Sequence, residues 1–435
     1  KWHISKAVLR TGEVNHSRSL EPFGFSDWES HGDRVGLMLE GYYQDDAIAA
    51  GAVGWLRQHG AAANRDGTPW FLTVSFINPH DIQWADVDPE DENIQNSPSV
   101  APRLRKPPST GLYTRRWETP PPVGFGQPLN APGRPAAHAE FVAAWADLVG
   151  AIPGDRADMW RTHNDFYLNL LRDNDRSVGA VLNGLEELGM ADNTIVVFTS
   201  DHGEHAGAHG GLRNKGPGAY DGHIHVPLLV AHPEGPRGTA CDALTSSVDM
   251  MPTLFALAGG SGEQLEELCG ELSGQSFAGL VGAPSRDADS FRQEGLLYCY
   301  DGLLVVDRAF VGKATAAVLA GKPDSELRPD FSKRGLQRTF FDGRYKFSRY
   351  FAPDRFNTPT SLEALIRDND IELFDCQQDP DEMTNLAFGP ARDNELIMRL
   401  NGRLNTLLAK EVGPDDGGAV SESIAHWGRW PIASG

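Results

Sequence analysis

One segment constrains this chain more than any other. Thr194-Ile-Val-Val-Phe-Thr199 is an apolar run of strand length, and it leads directly into Ser200-Asp-His-Gly-Glu204. A run of this kind predicts a buried strand that delivers a carboxylate and an imidazole at its carboxyl end. Trp70-Phe-Leu-Thr-Val-Ser-Phe76 and Val226-Pro-Leu-Leu-Val-Ala231 read as two further strands. Between the first two, Phe166, Leu168, Leu171, Val178, Val181, Leu182 and Leu185 roughly keep helical spacing, which predicts a helix over about Asn164 to Leu188. Gly189 and Asn193 supply its stop and turn signals, and another helix is predicted near Gln44 to His59. This alternation predicts an α/β fold with a largely parallel central sheet flanked by helices.

The pattern changes along the chain. Residues 84–137 hold Pro102-Arg-Leu-Arg-Lys-Pro-Pro108 and Pro120-Pro-Pro-Val123, a Pro-rich insertion of the kind that forms a lid or rim loop. Residues 261–290 read as a connector. Beyond about residue 290 come short strand-like pieces, Gly295–Tyr300, Arg338–Phe347 and Glu372–Phe374, with Asp342-Gly343 as a hairpin turn. A last helix near Asn394 to Leu408 places Leu396, Ile397, Leu400, Leu404, Leu407 and Leu408 on one face. The predicted organisation is a catalytic α/β domain over 1–265 and a smaller C-terminal α+β domain with an antiparallel sheet over 290–435.

Charge and composition exclude several classes. The net charge is −21, from 60 acidic and 39 basic residues, so a phosphate backbone is a poor partner and nucleic acid is not expected. The longest apolar stretches, Ile195–Phe198 and Leu303–Val306, are far short of a membrane span. The four cysteines show no Cys-x-x-Cys spacing and make no disulfide framework, although one or two bridges stay open in an oxidising compartment.

Several residues could carry chemistry. Asp201 and His202 are adjacent donors suited to one divalent cation, and a turn with a helix cap is the structural alternative. Lys215 lies in the Gly-rich loop Arg213-Asn-Lys-Gly-Pro-Gly-Ala-Tyr220 and offers a point charge for an oxyanion. His80, in Asn78-Pro-His80, stands just past a predicted strand end and could pass a proton. Lys1 and His3 lie two residues apart, on one side if extended. His202, Glu204 and His205 do not make the His-Glu-x-x-His order of a zinc protease.

Taken together, these segments resemble the sulfatase family of the alkaline phosphatase superfamily. Lys1-Trp-His-Ile4 is similar to the family's Gly-Lys-Trp-His-Leu-Gly segment, and Ser75–His80 to its Ser-Phe-x-x-Pro-His segment. Asp192–Glu204 resembles the metal-site strand. Lys215 through Pro227 resembles Lys-x-x-x-Tyr-Glu-x-x-x-Val-Pro, with Asp221 in place of Glu. Val248–Thr253 and Leu373–Leu386 resemble two further family segments, in the family's order.

The resemblance implies an alkaline-phosphatase-like fold and roles for these residues. Asp201 and His202 would ligate a divalent metal, Ca²⁺ in most members, with Mn²⁺ or Mg²⁺ as alternatives. Lys1, Lys215 and His80 would bind the sulfate. His80 would protonate the leaving alcohol, and His3 would assist the nucleophile. The family's nucleophile is a formylglycine made in a Cys-x-Pro-x-Arg motif, which this chain does not contain; the resemblance places it upstream of residue 1, so the chain by itself is expected to be catalytically incomplete. Trp84, Trp117, His209 and His223 are candidates for a substrate rim, by position alone. The expected activity is hydrolysis of a small-molecule or saccharide sulfate ester. A phosphoester or phosphonate monoester hydrolase of the same superfamily is the alternative, and a non-catalytic sulfate-ester-binding protein is the third reading. Periplasmic, extracellular and cytoplasmic locations in a bacterium all stay open.

Overall fold

The structure is a computed structural model, and it describes residues 20–27, 38–97, 100–287, 290–302, 307–320 and 327–416. Lys1 and His3 lie outside the described residues. In space the chain forms two units that are not consecutive in sequence: residues 1–121 with 149–195, and residues 122–148 with 196–435.

In the first unit the helix Glu40–Trp55 packs against the long helix Ala157–Glu187. The long helix starts seven residues before the apolar pattern predicts, because Met159 and Trp160 are already buried in its first turn. It ends at Gly189, whose φ of 66° is the left-handed turn that glycine favours. Residues 70–76 form no strand among the described residues and Phe71 is exposed, which corrects the buried strand predicted there.

The second unit contains two sheets. Strands β1 (Val196–Thr199) and β2 (Leu228–Ala231) form the first. They pair antiparallel, Val196 opposite Ala231 and Thr199 opposite Leu228, an antiparallel pair in a fold whose sheet is predicted as largely, not wholly, parallel. The cause is local. Beyond β1 the chain folds straight back, and Gly203 N–H donates to the His223 carbonyl (2.7 Å) while Glu204 N–H donates to the Gly222 carbonyl (2.9 Å).

The second sheet is the predicted C-terminal one. Strands β3 (Leu296–Asp301), β4 (Leu336–Phe341), β5 (Tyr345–Phe351) and β6 (Asp370–Asp375) lie in sequence order, all antiparallel. Asp342-Gly343 makes the β4–β5 turn, with Gly343 at φ 89°. One face carries Phe340, Phe347 and Leu373, and the helix Asn394–Glu411 covers it with Ile397, Leu400, Leu404, Leu407 and Leu408. Burying such side chains contributes about 1.5–3 kcal/mol each. The opposite face carries Gln337, Thr339, Lys346, Ser348, Tyr350 and Glu372, all buried and all polar, so something polar must meet them. Among the described residues no helix is long and apolar enough to cross a membrane, and the four cysteines are free thiols.

Candidate active site

The polar sheet face meets the loop that carries Lys215. Gln337 Oε1 accepts the Gly218 N–H (3.0 Å). Glu372 accepts the Tyr220 hydroxyl at 2.9 Å and the Tyr350 hydroxyl at 2.6 Å. Lys346 Nζ lies between the Asp221 and Glu382 carboxylates, 2.7 Å from the latter, and Glu382 also accepts the Asp221 N–H (2.7 Å). Burial by itself would favour neutral Lys346, but these two carboxylates hold its ammonium above the usual lysine range. Three points of attachment thus fix residues 218–221.

The other end of the loop is fixed from β1. Gly203 is required there: a Cβ would stand 2.1 Å from the Gly222 carbonyl oxygen. Glu204 is half-buried, and its Oε1 accepts N–H groups from Ala206 (2.9 Å) and Asn214 (2.5 Å). Burial raises the Glu204 carboxyl, while those N–H groups and Arg213 draw it back down. Lys215 follows Asn214 directly.

Asp201 and His202 stand at the mouth of this construction. His202 Nδ1 lies 2.8 Å from the Gly203 carbonyl, which can only accept, so Nδ1 carries the proton. In neutral imidazole that leaves the Nε2 lone pair, 3.5 Å from Asp201 Oδ2. Two electron-pair donors facing each other at this distance are suited to share a cation. Burial would raise the Asp201 carboxyl, but the protonated form of His202, the Lys215 ammonium and the His202 backbone N–H hold it below its ordinary value; a cation shared with Nε2 would take the place of the His202 proton. Lys215 therefore acts on the same carboxylate. Among the described residues no group of three or more His, Cys, Asp or Glu side chains is arranged to hold a metal, so this is a two-ligand set.

His209 and His223 are interior groups, which corrects the rim position expected for them. His209 is buried, stacks on Tyr220 with ring centroids 3.6 Å apart, and gives its carbonyl to Arg134; burial pushes its imidazole down to about 3. His223 is buried with Nδ1 3.2 Å from the Gly218 carbonyl, and burial pushes it down to about 4. Both stay neutral and pack under the loop.

His80 belongs to the first unit. It opens a short 3₁₀ turn, His80–Trp84, and two buried carboxylates fix its surroundings. Asp45, on the helix Glu40–Trp55, accepts the N–H groups of Ile77 (2.8 Å) and Asn78 (2.9 Å). Asp81 caps the same helix, accepting from Gly41 (3.0 Å) and Tyr42 (2.9 Å). Gly41 lets this happen, since a Cβ would meet the Asn78 side chain at 2.4 Å. Trp84 is half-buried at the end of the turn, and its carbonyl accepts the Arg105 N–H (3.1 Å).

The site is thus a carboxylate–imidazole pair at a strand end beside a fixed lysine loop, an arrangement suited to a cation and an anionic group side by side. Comparison with known proteins gives the family. The sequence profile of the sulfatase family matches residues 11–261, more than half of the chain, and the chain belongs to the sulfatase family. It is 27% identical over 269 residues to an ulvan-active sulfatase of Formosa agariphila, a match covering 56% of this chain and 37% of that protein. The fold is alkaline-phosphatase-like. A structure solved in complex with its substrate D-glucosamine-2-N,6-O-disulfate superposes with TM-score 0.57 at 17% identity, over 86% of this chain and 71% of that one. The phosphonate monoester hydrolase of Agrobacterium radiobacter superposes with TM-score 0.55 at 21% identity, over 85% and 61%. The match to the ulvan-active sulfatase thus spans little more than a third of that relative.

Proposed function

We propose that this chain forms part of an enzyme that hydrolyses the sulfate ester of a saccharide, R–O–SO₃⁻ + H₂O → R–OH + HSO₄⁻. The observation that carries the reading is the Asp201–His202 pair, with the Lys215 charge acting on the same carboxylate. The saccharide class is supported by the solved neighbour's glucosamine disulfate.

Sulfate transfer builds negative charge on the departing oxygen and keeps it on the sulfuryl oxygens. Lys215, fixed from both ends of its loop, pairs with a sulfuryl oxygen, and Lys1 is assigned the same task. A divalent cation held by Asp201 and His202, Ca²⁺ first among the candidates, would supply Lewis-acid polarisation of a sulfate oxygen. His80 gives its proton to the leaving oxygen, and His3 handles the proton of the attacking hydroxyl. A formylglycine would serve as the nucleophile; no Cys-x-Pro-x-Arg occurs among residues 1–435. Sulfate release from a sulfated monosaccharide, compared between the protein and its Lys215→Ala variant, tests the reading: release that survives the substitution unchanged refutes the assignment of Lys215. Rates on the sulfate and phosphate esters of one phenol separate sulfatase from phosphoester hydrolase.

A further inference from the structure

The Pro-rich insertion contains a strap, residues 113–117, that is built onto the long helix Ala157–Glu187 with unusual care. Asp165, Asn169 and Asp173 recur every fourth residue on that helix, so they share one face, and all three are buried. Each is committed to the strap. Asp173 accepts the Tyr113 hydroxyl (2.7 Å). Asn169 donates to the carbonyls of Tyr113 (3.2 Å) and Arg115 (3.0 Å), and accepts the Trp117 indole N–H (2.9 Å). Asp165 accepts the Trp117 backbone N–H (2.9 Å).

The side chains the strap displays are cationic and aromatic. The Arg115 guanidinium lies 3.8 Å from the centre of the Trp117 ring, and that of Arg172 lies 5.9 Å from it. Both arginines are exposed, and among the described residues neither has a carboxylate within ion-pair distance. Arg116 is exposed beside them and reaches Asp165 at 3.3 Å. In a chain of net charge −21, two such guanidinium groups on a fixed indole are a local exception to the global field. The strap is also tied to the loop of His80. Tyr113 packs edge-on against Tyr42 at 5.3 Å, and the Tyr42 N–H is held by Asp81, the neighbour of His80.

We propose that Arg115, Trp117 and Arg172 form a binding subsite for further anionic groups of a polyanionic saccharide, apart from the ester being cleaved. The guanidinium groups match sulfate and carboxylate oxygens in paired hydrogen bonds, and the indole offers a flat apolar surface to a sugar ring. The proposal rests on the sulfated-saccharide reading above for its ligand class, but its test does not depend on turnover.

The test is calorimetric titration of the intact protein with a heparin-derived hexasaccharide and with the same hexasaccharide chemically desulfated. The sulfated form is expected to bind at least about tenfold more tightly than the desulfated one, the factor that one charge-assisted hydrogen bond supplies. The R115Q/R172Q double variant is expected to lose about tenfold or more of that affinity, with its thermal midpoint and its hydrolysis of a small aryl sulfate unchanged. R115E/R172E should bind more weakly still, and supplies the answer if the glutamine pair perturbs folding. Unchanged affinity in these variants, equal binding of the two hexasaccharides, or no binding of the sulfated one overturns the proposal. Arginine-dependent binding in a protein that carries a formylglycine and still hydrolyses no sulfate ester would leave the subsite standing and refute the hydrolase reading.

Discussion

The Glu204 carboxylate accepts the Asn214 N–H at 2.5 Å, and Lys215 is the next residue. A half-buried carboxylate just beyond the Asp201–His202 pair thus fixes the start of the Lys215 loop. Glu204→Ala leaves two partly buried N–H groups without that acceptor, at a total cost of about 1–3 kcal/mol. Glu204→Gln keeps an acceptor oxygen and should lose less than half as much. Urea unfolding of both variants checks the order; an alanine variant as stable as the glutamine variant would show that the bonds do not hold the loop.

Lys346 is a buried cation between Asp221 and Glu382. Lys346→Met removes the cation and strands two carboxylates, a loss of about 3–5 kcal/mol. Adding Glu382→Gln should restore part of that loss, so the double variant should be less destabilised than the sum of the single ones. Strict additivity in denaturant titrations would contradict the pairing.

Burial raises Asp45 and Asp81 to about 6 from 3.8, against the N–H bonds that lower them. A carboxyl whose folded pKa is raised holds more protons in the folded than in the unfolded chain between those values. Stability therefore falls as pH rises from about 3.8 to 6 and is regained on acidification, by on the order of 1–3 kcal/mol per group. Asp81→Asn removes one of these titrations, so the stability difference between wild type and variant should shift toward wild type as pH drops from 7 to 4. A difference that does not move with pH would refute the raised value.

Lys215 is half-buried in a loop held by its neighbours, so Lys215→Ala should leave unfolding free energy within about 0.5 kcal/mol of wild type. Its effect should fall on chemistry, with kcat/KM for a sulfate ester down about 10²–10³-fold. A chelator should lower the same activity, and Asp201→Asn should make the protein need more added Ca²⁺ to recover. Full activity in chelator would contradict the Asp201–His202 assignment.

The sequence carried the parts of this site that are local. The apolar run before Ser200 fixed β1, and Asp201, His202 and Lys215 fall where strand and loop signals put them. The C-terminal sheet and its covering helix followed from alternation, the Asp-Gly turn and a leucine face. What was hidden depends on distant partners. Lys346 sits in a strand where alternation suggests a surface lysine, yet its partner Asp221 lies 125 residues away in sequence. His209 and His223 read as rim groups because a loop histidine shows nothing of the Tyr220 ring or Gly218 carbonyl that covers it. The antiparallel β1–β2 pairing was equally hidden, since the backbone bonds from Gly203 and Glu204 that turn the chain back leave no pattern in side chains.

The most direct test is ion chromatography of inorganic sulfate released from a sulfated glucosamine by the protein carrying its formylglycine, with and without Lys215→Ala. The account predicts sulfate release that the substitution lowers by about 10²-fold or more. Binding of the sulfated sugar with no sulfate released would contradict the hydrolase, and equal release by both proteins would contradict the site.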